Sequence, residues 1–291
     1  MVDHRPVAVF GATGQVGRAV ADGLHAAGVP VRGIVRGQPQ RATLWPIYPV
    51  QRWDTDTLAP VLSGCRAAFC MVPLVPQAGD LGRAQHRALA AAGVEHVVRL
   101  SVLREVIQAQ LRLGQLHGAL DEDFRRHGFA GAILHPDSFM QNLLGSAASI
   151  RAGVLQDATG DGAMGWIDAA DIAAVASSLL KRDCDGQLHA LNLTGPEMLT
   201  HRDVATRLGQ WLGRPVTYQD LSPAALGDQL RRYGVPVFLV DIFCELAAWT
   251  RSTDVTRLPT PPPPQWLARA PHRLEQFLAA HNNVFPATAP G

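Results

Sequence analysis

The residues with the clearest chemical use lie near the start of the chain. Gly11-Ala12-Thr13-Gly14-Gln15-Val16-Gly17 spaces three glycines as GxxGxxG, between the apolar run Val7–Phe10 and a stretch where Val16, Val20, Leu24 and Ala27 recur at helical spacing. In such a junction Gly11 allows the tight turn, Gly14 the close approach of backbone to a diphosphate, and Gly17 the packing of helix on strand. The free N–H groups and positive dipole end of the helix then face the anion. No Gly-Lys-Ser/Thr follows, which excludes a P-loop. The chemistry is dinucleotide binding, with Gly11, Thr13, Gly14, Gln15, Val16 and Gly17 as first contacts.

The end of the second apolar run selects the dinucleotide. An acidic residue there would take the ribose hydroxyls; this chain has Arg36, with Arg32 and Arg41 nearby. A guanidinium clamps a 2′-phosphate, so NADP(H) is expected over NAD(H), the plainer reading being a solvated arginine. Asp54 is either an adenine contact or an ordinary turn carboxylate. Val72 and Pro73 fall at the end of the next strand and Ser101 at the end of the one after, all candidate cofactor contacts. Ser101 can hydrogen-bond a substrate or ribose, and His117 can hold the ribose or relay a proton near neutral pH. These two are the catalytic candidates, each with a purely structural alternative. Asp121 lies one helical turn beyond His117, placed to orient its imidazole. His135, Pro136, Asp137, Ser138 and Phe139 form a loop expected to pass the nicotinamide, with Pro136, Ser138 and Phe139 as contacts. Met140, Asn142, Phe238 and Phe243 are candidate substrate contacts, though core packing is the commoner fate of such apolar side chains.

The elements that must position these groups alternate. Strands are expected at Val7–Phe10, Val31–Val35, Ala67–Val72, His96–Leu100 and Gly131–Leu134, with helices from Gln15 and over residues 55–63, 80–92, 111–127 and 169–180. That rhythm predicts an α/β fold: a Rossmann-type doubly wound parallel sheet with a smaller, mostly helical C-terminal substrate or lid region. The expected division gives 1–138 with 160–182 to the dinucleotide domain and 139–159 with 183–291 to the other region. Later helices are expected at 201–212, 222–233, 236–251 and 271–281, and the proline run 259–264 should be extended. The apolar 236–251 segment completes a core, covers a large flat substrate, or does both.

Composition narrows the remainder. The 291 residues carry a net charge of +1, which gives no electrostatic reason to expect nucleic acid or an anionic membrane. No apolar run approaches bilayer length and the N-terminus is too polar for a signal peptide, so a cytoplasmic location is expected. Cys65, Cys70, Cys184 and Cys244 show neither CxxC spacing nor a metal-ligand pattern with histidine, so no metal site is expected. Of 26 basic residues only Lys181 is lysine, which removes any mechanism needing a second one.

GATGQVG at 11–17, VRGIVR at 31–36, AGVEHVVRLS at 92–101, HGALDEDFRRHG at 117–128, ILHPDSFMQN at 133–142, GWIDAADIAAVA at 165–176 and LNLTGPEMLT at 191–200 together resemble the NmrA-like, atypical branch of the short-chain dehydrogenase/reductases. The resemblance covers nearly the whole chain. It implies a dinucleotide across the strand ends and a smaller C-terminal region closing over the nicotinamide. Three departures stand out. None of Tyr48, Tyr218 and Tyr233 has lysine four residues on, so the Tyr-x-x-x-Lys acid pair is absent. His135 stands where relatives commonly carry Arg, and the proline run replaces a shorter turn. The resemblance therefore implies cofactor binding more firmly than turnover.

The expected activity is NADPH-dependent reduction of a carbonyl on a bulky aromatic substrate, a small molecule of polyketide or quinonoid type, with protonation from water, His117 or the substrate. The Arg-, Ala- and Gly-rich composition and apolar C-terminal helices align it, within the family, with aromatic-polyketide tailoring ketoreductases of antibiotic biosynthesis. Quinone or azo reduction is the alternative within the enzyme class. A non-catalytic NADP(H) sensor, and non-redox catalysis on the same scaffold, are the alternatives outside it. The sequence assigns no oligomeric state.

Overall fold

The computed structural model describes residues 4–37, 42–253 and 259–286. In chain order the elements are β1 (Val7–Phe10), α1 (Gln15–Ala26), β2 (Val31–Arg36), β3 (Ile47–Val50), α2 (Thr55–Leu62), β4 (Ala67–Cys70), α3 (Ala78–Ala91), β5 (His96–Leu100), α4 (Arg104–Gln108), α5 (Arg112–Arg126) and β6 (Ala130–Pro136). They continue with α6 (Asn142–Gly145), α7 (Ala147–Arg151), β7 (Val154–Asp157), α8 (Ala169–Lys181), β8 (Leu188–Leu193), α9 (His201–Leu212), β9 (Thr217–Asp220), α10 (Pro223–Arg232), α11 (Val237–Ser252) and α12 (Leu274–Ala280). The chain forms two compact units. One comprises Met1–Pro136, Ala169–Asn192 and Pro263–Arg269; the other comprises Asp137–Asp168, Leu193–Pro262 and Ala270–Gly291.

The first unit is built on a sheet of order β3-β2-β1-β4-β5-β6-β8. The pairs β1–β2, β1–β4, β2–β3, β4–β5 and β5–β6 are all parallel. Gly131 N donates to Gln187 O and Asp137 N to Leu193 O, a constant offset that makes β8 parallel as well. Every residue of β1, β4, β5 and β6 is buried, as expected where helices cover both faces. On one face Ala8, Phe10, Ile34, Ala68, Cys70, Val97 and Ile133 join Leu58 and Leu62 of α2, Leu89 of α3 and Phe124 of α5 in one core. On the other, α1 packs along α8. Strand order reverses at β1, so β1 leads outward to β2 on one side and to β4 on the other. The crevice at their carboxyl ends is where such sheets bind ligands.

In the second unit the short parallel pair β7–β9 aligns Val154 with Thr217 and Asp157 with Asp220. Met140, Leu155, Trp166, Leu208, Leu212, Tyr218, Leu274, Phe277 and Phe285 share its main core. β9, with exposed Thr217, Gln219 and Asp220, lacks the apolar run that marks a strand in sequence, and neither it nor β7 is anticipated.

The division differs from the sequence boundaries. Residues 137–138 and 160–168 belong to the second unit, while 183–192 and 263–269 belong to the first. Two contacts explain the later boundary: β8 extends the sheet, and Trp266 lies under Arg182, whose guanidinium carbon is 4.6 Å from the ring centre. The last helix begins at Leu274, three residues after Pro271, instead of at 271. Residues 259–263 are neither helix nor strand, in keeping with their prolines.

Candidate functional site

β1 ends at Phe10 and the chain turns at Gly11, whose φ of +65° is the left-handed region. Gly14 N closes the turn on Gly11 O at 2.9 Å. A Cβ on Gly17 would lie 2.3 Å from that same carbonyl oxygen, so only glycine lets α1 approach β1 this closely. Gly14 is the N-cap of α1 and offers no side-chain cap, and the first turn holds no acidic residue. α3, α5 and α11 also lack a side-chain cap, and what sets α1 apart is the glycine turn that brings its N-terminus against the end of β1. The first-turn amides of α1 are thus left for an external anion, with Thr13, Gly14 and Gln15 exposed beside them and Val16 anchoring the helix in the core.

Arg36 is the last residue of β2 and is exposed. Arg32 does not assist it: its Nη1 donates to Val61 O and Ser63 O at the end of α2, and its guanidinium lies over the Tyr48 ring. Arg41 lies outside the described residues. Asp54 is used locally as well. It caps α2 by accepting from Thr57 N at 2.9 Å and pairs with Arg52 at 2.7 Å, contacts that hold its carboxyl below the usual range and give it the turn role.

Past β4, Val72 and Pro73 are half-buried, and Gln85 Nε2 donates to Met71 O at 2.9 Å, pinning the strand exit. The next strand carries a charge in an apolar run. Arg99 on β5 is 0% exposed, and its Nε meets Asp121 Oδ1 of α5 at 2.9 Å. Ser101 is also buried and donates from Oγ to Asp121 Oδ2 at 2.9 Å, so its hydroxyl hydrogen does not point into the crevice. Asp121 therefore does not orient His117 as the one-turn spacing predicts; its oxygens are taken by Arg99 of β5 and by Ser101 just beyond that strand. His117 instead meets Arg99, with Nδ1 3.4 Å from Nη2. Burial, Arg99 and His135 hold the His117 imidazole well below the usual histidine range. That direction disfavours the imidazolium and works against the expected proton relay near neutrality. His135 places Nδ1 2.9 Å from Val102 O, and its buried Nε2 has no partner among the described residues. Pro136 ends β6.

The remaining expected contacts belong to the second unit. Asp137 accepts from Ser138 N at 2.8 Å and Gly165 N at 2.9 Å, and Ser138 Oγ meets the Met164 sulfur at 3.1 Å. Phe139 is half-buried and bridges to Ile167. Met140 is 1% exposed within the main core, so the substrate role expected for it is replaced by packing. Asn142 is exposed at the start of α6, Phe238 is half-buried, and Phe243 is 39% exposed. Cys65 and Cys70 are buried, Cys184 is exposed and Cys244 is intermediate, all as free thiols. No group of three or more metal-ligating side chains occurs among the described residues. Nor is any helix among them long and apolar enough to cross a membrane.

Arg99 and Gln85 were missed in the sequence. The available signal was Arg99 itself, a charge inside the buried strand HVVRL, which requires a buried counter-charge from another element.

The model of the NmrA-like family matches residues 3–250. The chain belongs to the NmrA-like family. It is 31% identical to the NAD(P)H azoreductase of Xenophilus azovorans over 97% of this chain and 99% of that one. It is 35% identical to the (4-alkanoyl-5-oxo-2,5-dihydrofuran-3-yl)methyl phosphate reductase of Streptomyces griseus over 79% of this chain and 83% of that one. The NADPH-dependent quinone oxidoreductase of Escherichia coli, solved in complex with NADPH, superposes with a TM-score of 0.80 at 25% identity, covering 94% of this chain and 99% of that one. Within the NmrA-like fold of this chain, His117 and Asp121 occupy the i and i+4 places on α5, and Arg99 supplies the buried cation beside them.

Proposed function

We propose that this chain is an NADPH-dependent reductase of bulky conjugated acceptors, of quinone or azo type. The observation that carries the cofactor assignment is the glycine cradle under α1: an uncapped helix N-terminus that only Gly17 allows so close to β1. A dinucleotide fits this cradle. The amides of Gln15, Val16 and Gly17 would hold its diphosphate and the exposed Arg36 its 2′-phosphate. When bound, the dihydronicotinamide supplies a hydride. The chain's own contribution at the β5 end is polar positioning. Burial and the Arg99 guanidinium disfavour charge on His117, which suits it to offer a hydrogen bond in place of a proton, and the proton that completes reduction then comes from solvent or from the acceptor itself. Similarity to azo, furanone-phosphate and quinone reductases supports reductive chemistry and, within it, the reading of quinone and azo acceptors.

The test is NADPH oxidation by purified protein with quinones, azo dyes and aromatic polyketide ketones, with NADH in parallel. Acceptor-dependent oxidation faster with NADPH and with a quinone or azo dye is expected. Tight NADPH binding with no oxidation across the panel would replace this reading with the sensor.

A further inference from the structure

We infer that Arg99 and Asp121 are positioning residues that set the hydrogens of the site, Arg99 holding His117 with its proton on Nε2 and Asp121 holding Ser101 with its hydroxyl hydrogen turned inward. A guanidinium has five donors and no acceptor. With Arg99 Nη2 at 3.4 Å, His117 Nδ1 must be the accepting nitrogen, and the one proton of the neutral ring sits on Nε2. Nε2 has no hydrogen-bond partner among the described residues, yet it is not among the sealed orphan atoms, and His117 keeps 7% of its surface. A fixed N–H donor is therefore offered outward.

The carboxylate of Asp121 can only accept. It takes Arg99 Nε on one oxygen and the Ser101 hydroxyl on the other, each at 2.9 Å, so Ser101 keeps only lone pairs for a ligand. His135 has the opposite polarity to His117. Its Nδ1 faces the Val102 carbonyl at 2.9 Å and must be the protonated nitrogen, leaving the buried Nε2 as a bare acceptor. Around the His117 ring stand Arg99 from β5 and His135 from β6, and both oppose its protonation along with burial. The hydrogen pattern is thus dictated by a buried ion pair and a backbone carbonyl instead of by solvent. An ion pair so enclosed cannot swing away without leaving a charge unpaired.

On the reductase reading, on which this consequence rests, a neutral imidazole donor stabilises negative charge growing on a carbonyl oxygen or azo nitrogen without an acid titrating near neutrality. The assignment itself is tested without substrate, by nitrogen NMR of histidine-labelled protein, with His117→Gln used to identify the resonances. The expected result is a His117 protonated at Nε2 only, unchanged between about pH 6 and 8. Arg99→Lys, still a donor-only cation, should keep this pattern. Arg99→Met should mix the tautomers or bring imidazolium into that range, because the Asp121 charge is then unbalanced. A wild-type ring protonated at Nδ1 or present as imidazolium at pH 7 would overturn the inference, as would an Arg99→Met spectrum unchanged at His117. If Arg99→Met fails to fold, the wild-type spectrum decides alone. Failure of NADPH oxidation would sink the reductase reading and leave this assignment standing.

Discussion

Gly17→Ala tests the cradle directly. The added methyl would sit 2.3 Å from Gly11 O, 2.7 Å from the Gly11 carbonyl carbon and 3.1 Å from Phe10 O. All three are backbone atoms at the end of a fully buried strand, so no side chain can swing aside, and α1 must lift from β1. Overpacking of this kind costs about 1–3 kcal/mol. At about 2–4 °C per kcal/mol for a domain of this size, the melting temperature should fall by roughly 2–12 °C. The lift also withdraws the first-turn amides, so NADPH affinity should drop about tenfold or more, or at least 1.4 kcal/mol. Gly28→Ala is the control. Gly28 also has a left-handed φ, +74°, but beyond its chain neighbours no described residue lies within 4 Å of its added methyl. That strain costs about 1–2 kcal/mol, a comparable stability loss far from the cradle. Thermal unfolding and calorimetric titration with NADPH on both variants separate the effects. Wild-type NADPH affinity in Gly17→Ala, or an equal loss in Gly28→Ala, would refute the reasoning.

Arg36→Asp should weaken NADPH by roughly 10- to 150-fold, the worth of a charge-assisted contact of about 1.5–3 kcal/mol, and leave NADH nearly untouched in parallel titrations; equal losses would deny Arg36 the 2′-phosphate. Stability should fall as pH drops, because buried histidines stay neutral in the folded state: burial and Arg99 lower His86 to about 4, while the unfolded ring protonates below about 6.5. The unfolded state then binds the extra proton between those values. Stability is full above about pH 6.5 and declines toward pH 4, the Asp123 carboxylate 2.6 Å from His86 Nδ1 working against that loss, and His86→Asn should flatten the slope in urea titrations at several pH values. Cys184, exposed, should react with a thiol reagent in the native state, while Cys70, which burial pushes up to about 12, should not until the protein unfolds; mass spectrometry after brief alkylation reads this, and equal labelling would contradict the buried β4.

The elements around the cofactor cradle were legible because their signals are local. VAVF is buried at all four positions, as a two-face-covered strand must be, and the glycines of 11–17 lie where strand becomes helix. α1, β5, α9 and the neighbouring helices fall within one or two residues of the boundaries expected from periodicity and caps. β7 and β9 were not legible: their pairing joins residues 63 apart, and β9 exposes most of its side chains. Periodicity cannot report a strand whose partner, not its own apolar face, makes it one.

What the sequence by itself determined is the parallel α/β sheet, the dinucleotide junction with Arg36 at the neighbouring strand end, and the absence of a Tyr-x-x-x-Lys pair. Each depends on residues close in the chain. Only the tertiary structure decided how the polar groups pair. Arg99 and Asp121 lie 22 positions apart, yet their ion pair takes the carboxylate that helical spacing had assigned to His117. Likewise Arg32 went to the end of α2, Asp54 to a cap and Met140 to a core. The reason is desolvation: a buried charge must find whichever partner the packing brings within hydrogen-bond reach, and spacing along one helix does not reveal what a neighbouring strand will present.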